Sequence, residues 1–271
     1  MNMLELQKKA NQLRRETLRM IYEGKDGHPG PALSIADIVT ALYFDAMHIR
    51  PQEPDWEGRD RFILSKGHAC PIVYAALSEA GYFGDTVKDF RLRGLGSCFQ
   101  GHPVMNKTPG IDMTSGSLGN GIAVGAGMAL AAKYREMDYA IYVVAGDGEL
   151  QEGVVWEGAN VAAAHRLDNL IVFIDRNGWQ SGGSVEDTLG SNNVAQRFSA
   201  FQWHVQEIDG HDMGAILEAI KAAKAAVGRP SAIVCDCIKG KGVDFMENNN
   251  AWHKGVPTAE QYESALKKLE G

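Results

Sequence analysis

The residues best suited to chemistry lie at two points about 30 positions apart. Gly146-Asp147-Gly148 follows an apolar run at 139–145 and precedes Glu149 and a helix that begins near Glu152. A second apolar run, 169–175, ends in Asp175-Arg176-Asn177. Two glycines around one aspartate let the backbone pass close to a phosphate while the carboxylate faces a metal. A hard cation such as Mg²⁺ or Ca²⁺ takes oxygen ligands in octahedral or looser geometry. Asp147, the side-chain oxygen of Asn177 and a nearby main-chain carbonyl can supply three of them, and a diphosphate would add more. A lone Gly-Asp-Gly is a common turn. The strand before it, the helix after it and the Asp-x-Asn closing the next strand make the pattern specific.

Histidine is the second resource. Of eight histidines, His28, His68, His102 and His253 follow or sit among glycines, where an imidazole can approach a ligand. His48, His165 and His204 have no such setting. His211 lies in Asp209-Gly210-His211-Asp212, a turn before a helix, and reads as structural with Asp212 as the N-cap. Lys239-Gly240-Lys241-Gly242 reads as a loop with exposed lysines.

These residues need a scaffold, and the hydrophobic pattern predicts one. Helical periodicity marks 4–22, 34–47, 69–80, 119–134, 154–164 and 215–226. Strand-like runs at 140–145, 170–175, 204–208 and 232–238 read as strands covered on both faces. From residue 117 onward, helices and strands alternate. That order predicts an α/β fold, a parallel sheet flanked by crossover helices. Ligands in such sheets sit beyond the carboxyl ends of the strands, which points to the loops after Ala145, Asp175 and Ile238. No repeat or linker divides the chain, so residues 1–271 are expected to form a single domain.

Bulk properties narrow the function. Hydrophobic residues make up 45% and charged residues 23%, which suits a globular domain with a large core. Lys+Arg total 27 against 34 Asp+Glu, a net charge of -7 with no basic run, which argues against nucleic acid as a partner. Cys70, Cys98, Cys235 and Cys237 match no zinc spacing and read as reduced thiols, the last two on one face of a strand. The N-terminal segment reads as an amphipathic helix rather than a signal peptide. The longest small-apolar run, 122–132, is too short to span a bilayer, so a soluble, cytoplasmic protein with no membrane partner is expected.

Along nearly its whole length the chain resembles the N-terminal, thiamine diphosphate-binding domain of transketolase. The resemblance rests on Gly27-His28-Pro29-Gly30, Ser65-Lys66-Gly67-His68, Gly101-His102-Pro103 and Thr114-Ser115-Gly116-Ser117-Leu118-Gly119-Asn120-Gly121. It continues through Gly146-Asp147-Gly148-Glu149-Leu150-Gln151-Glu152-Gly153, Asp175-Arg176-Asn177, Asp209-Gly210-His211-Asp212 and Trp252-His253, all in the family order.

The resemblance implies that Asp147, Asn177 and the carbonyl of Trp179 hold Mg²⁺, with Ca²⁺ or Mn²⁺ as substitutes. It implies that His68, Gly146, Gly148 and His253 contact the diphosphate. Gly116, Ser117 and Leu118 would line the thiazolium and pyrimidine region. His28 and His102 would face the substrate and His253 would share in catalysis, while Glu152 would sit at a subunit interface. Two departures stand out: Ser117 occupies a position where proline is common, which would loosen the loop, and Trp179 replaces a smaller aliphatic residue. The family's cofactor-activating glutamate and main phosphate-gripping arginines belong to a second domain. The chain therefore resembles one half of a split transketolase, working with a complementary C-terminal subunit of roughly 300 residues, a normal size for one domain. An α2β2 heterotetramer moving a two-carbon ketol unit between sugar phosphates is then expected. The alternatives are a transketolase for a modified, acidic sugar, a deoxyxylulose-phosphate-type synthase, or a non-catalytic cofactor-binding subunit.

Overall fold

A computed structural model describes residues 1–84, 91–190 and 193–270. Five strands form one parallel sheet: β1 (Arg61–Leu64), β2 (Ile141–Gly146), β3 (Leu170–Arg176), β6 (His204–Asp209) and β7 (Ser231–Asp236), in the order β1-β2-β3-β7-β6. Between β3 and β6, the two-residue strands β4 (Trp179–Gln180) and β5 (Gly183–Ser184) make a small antiparallel hairpin. The helices are α1 (Met3–Gly24), α2 (Pro29–Ser34), α3 (Ala36–Ala41), α4 (Cys70–Ala80), α5 (Asn120–Tyr134), α6 (Gly153–Ala164), α7 (Val185–Leu189), α8 (Val194–Ala200), α9 (Met213–Lys224) and α10 (Ala259–Lys268).

The two-residue period of the central strands feeds two cores. Tyr142, Val144, Ile171, Phe173, Ile233 and Cys235 pack against α1, α3, α4 and α9. Ile141, Val143, Ala145, Val172, Ile174, Ala232 and Val234 face α5, α6 and α8. Because β2, β3 and β7 are buried on both faces, their sequences run apolar without alternation. The α/β expectation holds.

Several boundaries differ. The strand at 204–208 was expected to be covered on both faces, but β6 is the sheet edge, pairs only with β7 and is partly exposed along its length. Its polar Gln206 and Glu207 are compatible with that edge position. The single helix expected at 34–47 starts earlier, at Pro29, breaks at Ile35 and ends in a wide turn in which Met47 N donates to Leu42 O at 2.9 Å. Residues 29–43 are buried throughout, so no amphipathic period marks the break. β1 was not foreseen; four residues after a charged loop give too little pattern. Asp212 caps α9 as expected, accepting from Gly214 N and Ala215 N. The four cysteines are free thiols, and Cys235 and Cys237 are buried on the same side of the sheet. No described helix is long and apolar enough to cross a membrane.

Candidate active site

At the carboxyl ends of β2, β3 and β7 lies a cavity of about 340 Å³. It collects His28, His68, Gly116, Leu118, Gly146, Asp147, Gly148, Glu152, Asn177, Trp179 and His253. Of the residues expected at the site, Ser117 and His102 lie outside its lining. Ser117 is exposed, with Oγ accepting from Asn120 Nδ2 at 2.9 Å. His102 stands just behind Gly116, where a Cβ would come 3.7 Å from its Cγ.

The strand ends explain why Asp147 and Asn177 meet. β2 pairs with β3 so that Gly146 is opposite Asp175, which brings the two loops together. Asp147 Oδ1 accepts from Gly148 N at 2.8 Å and Oδ2 accepts from Gly178 N at 2.6 Å. Burial, reinforced by the nearby Asp175 charge, raises its carboxyl to about 6 against the opposing pull of those N–H groups and Lys66. Asn177 Nδ2 donates to Asp175 Oδ2 at 2.7 Å, and its Oδ1 accepts from Trp179 N at 3.0 Å. The side-chain oxygen is thereby fixed on the Trp179 side of the loop.

Asp175 is fully buried and belongs to a different set. Lys66 Nζ, Ser34 Oγ at 2.5 Å and Asn177 Nδ2 all donate to it. Burial pushes its carboxyl up, but the Lys66 ammonium and these hydrogen bonds outweigh that, and it stays below the usual range. Glu149, also buried, accepts from Ser65 Oγ, from Gly119 N at 2.6 Å and from Gly146 N at 3.0 Å, binding the β2 loop to the start of α5.

Three histidines form a triangle across the cavity. Ring centroids are 5.2 Å apart for His28–His68, 5.6 Å for His28–His253 and 5.2 Å for His68–His253. Burial and neighbouring cations hold all three neutral near pH 7: His28 is pushed down to about 4, His253 to about 3, and His68 well below its ordinary value. His211 is structural, as expected. Its Nε2 accepts from Ile238 N at 2.8 Å, so Nδ1 carries the proton and donates to Asp37 Oδ2 at 2.8 Å.

Lys239 overturns an expectation. Read as an exposed loop lysine, it is 1% exposed and lines the cavity, donating to Asn250 Oδ1 at 2.7 Å and to His253 Nδ1 at 2.9 Å. The loop folds under the segment around Trp252 because Gly240 N is tied to Gly30 O. Burial, and then the Lys66 charge, lowers Lys239 to about 8. Lys66, Gln151, Gln180 and Ser181 also line the cavity and were not singled out from the sequence. Lys66 stands inside the quoted Ser65-Lys66-Gly67-His68 motif, so the signal was present.

The donor set can be tested against a metal and a diphosphate. His28 Nδ1, Gln151 Nε2 and Gln180 Oε1 are buried polar atoms without a partner, a costly state that a polar ligand would relieve. Among the described residues no three His, Cys, Asp or Glu side chains converge as metal ligands, so a soft-metal centre is not built here. Asp147 beside an amide oxygen and main-chain oxygens suits a hard cation. Lys239 and neutral imidazoles suit a phosphate. The residues fit the group.

The family model described as "Transketolase, thiamine diphosphate binding domain" matches residues 6–271. The chain belongs to the transketolase family. It is 41% identical to the first-named subunit of the apulose-4-phosphate transketolase of Phocaeicola vulgatus, over 98% of this chain and 93% of that one. It is 43% identical to the 6-deoxy-6-sulfo-D-fructose transketolase subunit SqwG of a Clostridium species, over 98% and 97%. The solved transketolase of Campylobacter jejuni superposes with a TM-score of 0.93 at 34% identity, covering 100% of this chain and 43% of that structure. The chain thus spans nearly all of the named subunits but under half of that longer enzyme. The expectation of an N-terminal, thiamine diphosphate-binding transketolase subunit of the transferase class stands on these matches.

Proposed function

We propose that residues 1–271 form one cofactor-binding domain in which Asp147, the Asn177 side-chain oxygen and the Trp179 carbonyl hold Mg²⁺, with Ca²⁺ or Mn²⁺ able to substitute. His68, Gly146, Gly148 and His253 take the diphosphate, joined by Lys239, and Gly116, Ser117 and Leu118 flank the rings. The observation that carries this reading is the convergence of a cation-seeking Asp147 and Asn177 with Lys239 and three neutral histidines in one cavity.

Bound thiamine diphosphate supplies a nucleophilic carbon and an electron sink for breaking the bond next to a ketone. The chain's part is to orient and to manage protons. His28 and His102, neutral near pH 7, hydrogen-bond sugar hydroxyls, and the unpartnered Nδ1 of His28 can hold a proton in transit. Lys239 donates to His253 Nδ1, which leaves Nε2 to carry the ring proton toward a ligand. Glu152, exposed at the cavity mouth where α6 begins, meets the complementary subunit.

The working enzyme is then a cytoplasmic α2β2 heterotetramer with a complementary C-terminal subunit of roughly 300 residues, one domain in size. It moves a two-carbon ketol unit from a ketose phosphate to an aldose phosphate, as in the pentose phosphate reactions. The relatives named for apulose-4-phosphate and 6-deoxy-6-sulfo-D-fructose favour a second reading in which the sugar is a modified one. Co-expression of the two subunits and an assay of ketol transfer with thiamine diphosphate and Mg²⁺ tests both. Inertness toward every ketose, with cofactor still bound, would leave a binding subunit without catalysis. Asp147→Ala should abolish metal-dependent cofactor binding; unchanged affinity would sink the metal assignment.

A further inference from the structure

Outside the cavity, one carboxylate ties together the loops that carry its histidines. Asp26 lies two residues before His28, and its Oδ2 is 3.2 Å from Arg93 Nη1 while Oδ1 is 3.4 Å from Lys254 Nζ. Lys254 directly follows His253, and Gly255 N donates to Gly27 O at 3.1 Å, which sets the two loops side by side. The Arg93 guanidinium rests on Gly101, the residue before His102, where any Cβ would collide with its Cζ. Arg93 also borders a second cavity of about 530 Å³ that contains Lys107 and no acidic residue among the described lining. Two cations share one anion, so the lip beside His28 and His102 carries a net positive charge.

Arg93 and Asp26 are each 32% exposed and Lys254 is 56% exposed. A pair this open to water adds little to stability. Its charge nevertheless reaches the site: after burial, Arg93 and Lys254 are the next influences holding His28 down, and Arg93 acts likewise on His102. A guanidinium also offers a planar fork of N–H donors matched to the oxygens of phosphates and carboxylates.

We infer that this bridge is a specificity element, in which Arg93 and Lys254 read an anionic group on the sugar entering past His28 and His102. Asp26 is the internal anion that the sugar's phosphate, sulfonate or carboxylate displaces. The inference rests on the ketol-transfer reading of the site. A simple clamp that only positions the histidine loops is the competing account, and Asp26 separates the two. Displacement requires that losing the Asp26 charge frees both cations and strengthens anion binding. A clamp requires that it weakens everything.

The test uses the complex with its complementary subunit, thiamine diphosphate and Mg²⁺, comparing ribose 5-phosphate with ribose as acceptors. Arg93→Gln should raise KM for the phosphorylated sugar about tenfold relative to the neutral one, the scale of one charge-assisted contact. Asp26→Asn should lower KM for ribose 5-phosphate. Equal losses on both sugars, or a higher KM for ribose 5-phosphate in Asp26→Asn, would overturn the inference in favour of the clamp. Competition by phosphate, methanesulfonate and acetate against ribose then ranks the three anion types. A second readout does not depend on turnover. Inorganic phosphate should raise the melting temperature of the Asp26→Asn complex most and of Arg93→Gln least. A complex that transfers no ketol unit yet shows that order keeps the anion site and discards the reaction. Equal shifts in all three proteins discard the anion site.

Discussion

Asp147 and Asp175 stand at the ends of adjacent parallel strands, joined by a backbone bond from Asp147 N to Asp175 O at 3.1 Å, yet they are in opposite states. Asp175 has a lysine, a hydroxyl and an amide for company and is held ionised. Asp147 has two backbone N–H groups and no cation pressed against it, and burial lifts it to about 6. A carboxylate whose charge the protein itself neutralises is part of the scaffold. One that is buried and left short of positive charge is waiting for a cation, because an uncompensated buried charge is costly. The same contrast separates Glu149, with three internal donors, from Glu152, exposed at the mouth.

The contrast breaks most visibly at Lys66. If Asp175 is scaffold, Lys66→Met leaves its carboxylate buried and unpaired, and we predict a loss of about 3–5 kcal/mol in chemical denaturation. Lys66→Met combined with Asp175→Asn should recover much of that loss. A single Lys66→Met variant as stable as the wild type would show that the pair is not what holds the β3 end together.

Asp147 gives a pH test of the opposite kind. Its folded value, about 6, lies above the ordinary 3.8, so between those values the native state binds more protons than the unfolded chain. Stability from this group is present at low pH and is lost as pH rises through 6, in total about 3 kcal/mol. His28, His68 and His253 run the other way, being lowered, so the measurement is the difference between wild type and Asp147→Asn across pH 4 to 7. With Mg²⁺ and thiamine diphosphate added the wild type's deficit should vanish, since a bound cation favours the ionised form. A difference flat with pH would remove the argument for a ligand-seeking carboxylate.

Lys239 sharpens the comparison from the cation side. Its ammonium donates to His253 Nδ1, which keeps that imidazole neutral. Lys239→Met should raise the His253 pKa, read from its ring-proton shifts, and weaken diphosphate affinity about tenfold, one charge-assisted bond's worth. An unmoved His253 would mean that burial alone sets it.

How far the sequence disclosed all this depends on what each residue must satisfy. Asp147, Asn177 and the glycine-flanked histidines were legible because their loops are constrained by a ligand, which fixes residue types at short range. The central strands β2, β3 and β7 were legible because burial on both faces removes every polar residue. Lys239 was misread because nothing local says that a Gly-Lys-Gly loop will fold beneath a segment near Trp252; the bond from Gly240 N to Gly30 O joins residues far apart in sequence. The break at Ile35 was invisible for the opposite reason, since a helix buried all round carries no polar stripe to show where it stops. The Arg93–Asp26–Lys254 bridge draws on three distant loops and had no sequence signature at all.

Ser117 marks the weak end of the scale. It was expected to loosen its loop by standing where proline is common, but its carbonyl and hydroxyl both accept from Asn120 Nδ2, at 3.2 and 2.9 Å, across the start of α5. Both groups are exposed, so water can replace either bond. We predict that Ser117→Ala costs about 0.5 kcal/mol, the low end for a hydrogen bond whose partners remain solvated. Cofactor affinity should stay within twofold, because Gly116 and Leu118 on either side line the cavity and Ser117 does not. A loss well above 1 kcal/mol, or a clear drop in affinity, would mean that the loop depends on this serine as the β3 end depends on Lys66. Exposure would then be a poorer guide to a residue's role here than the contrast between Asp147 and Asp175 implies.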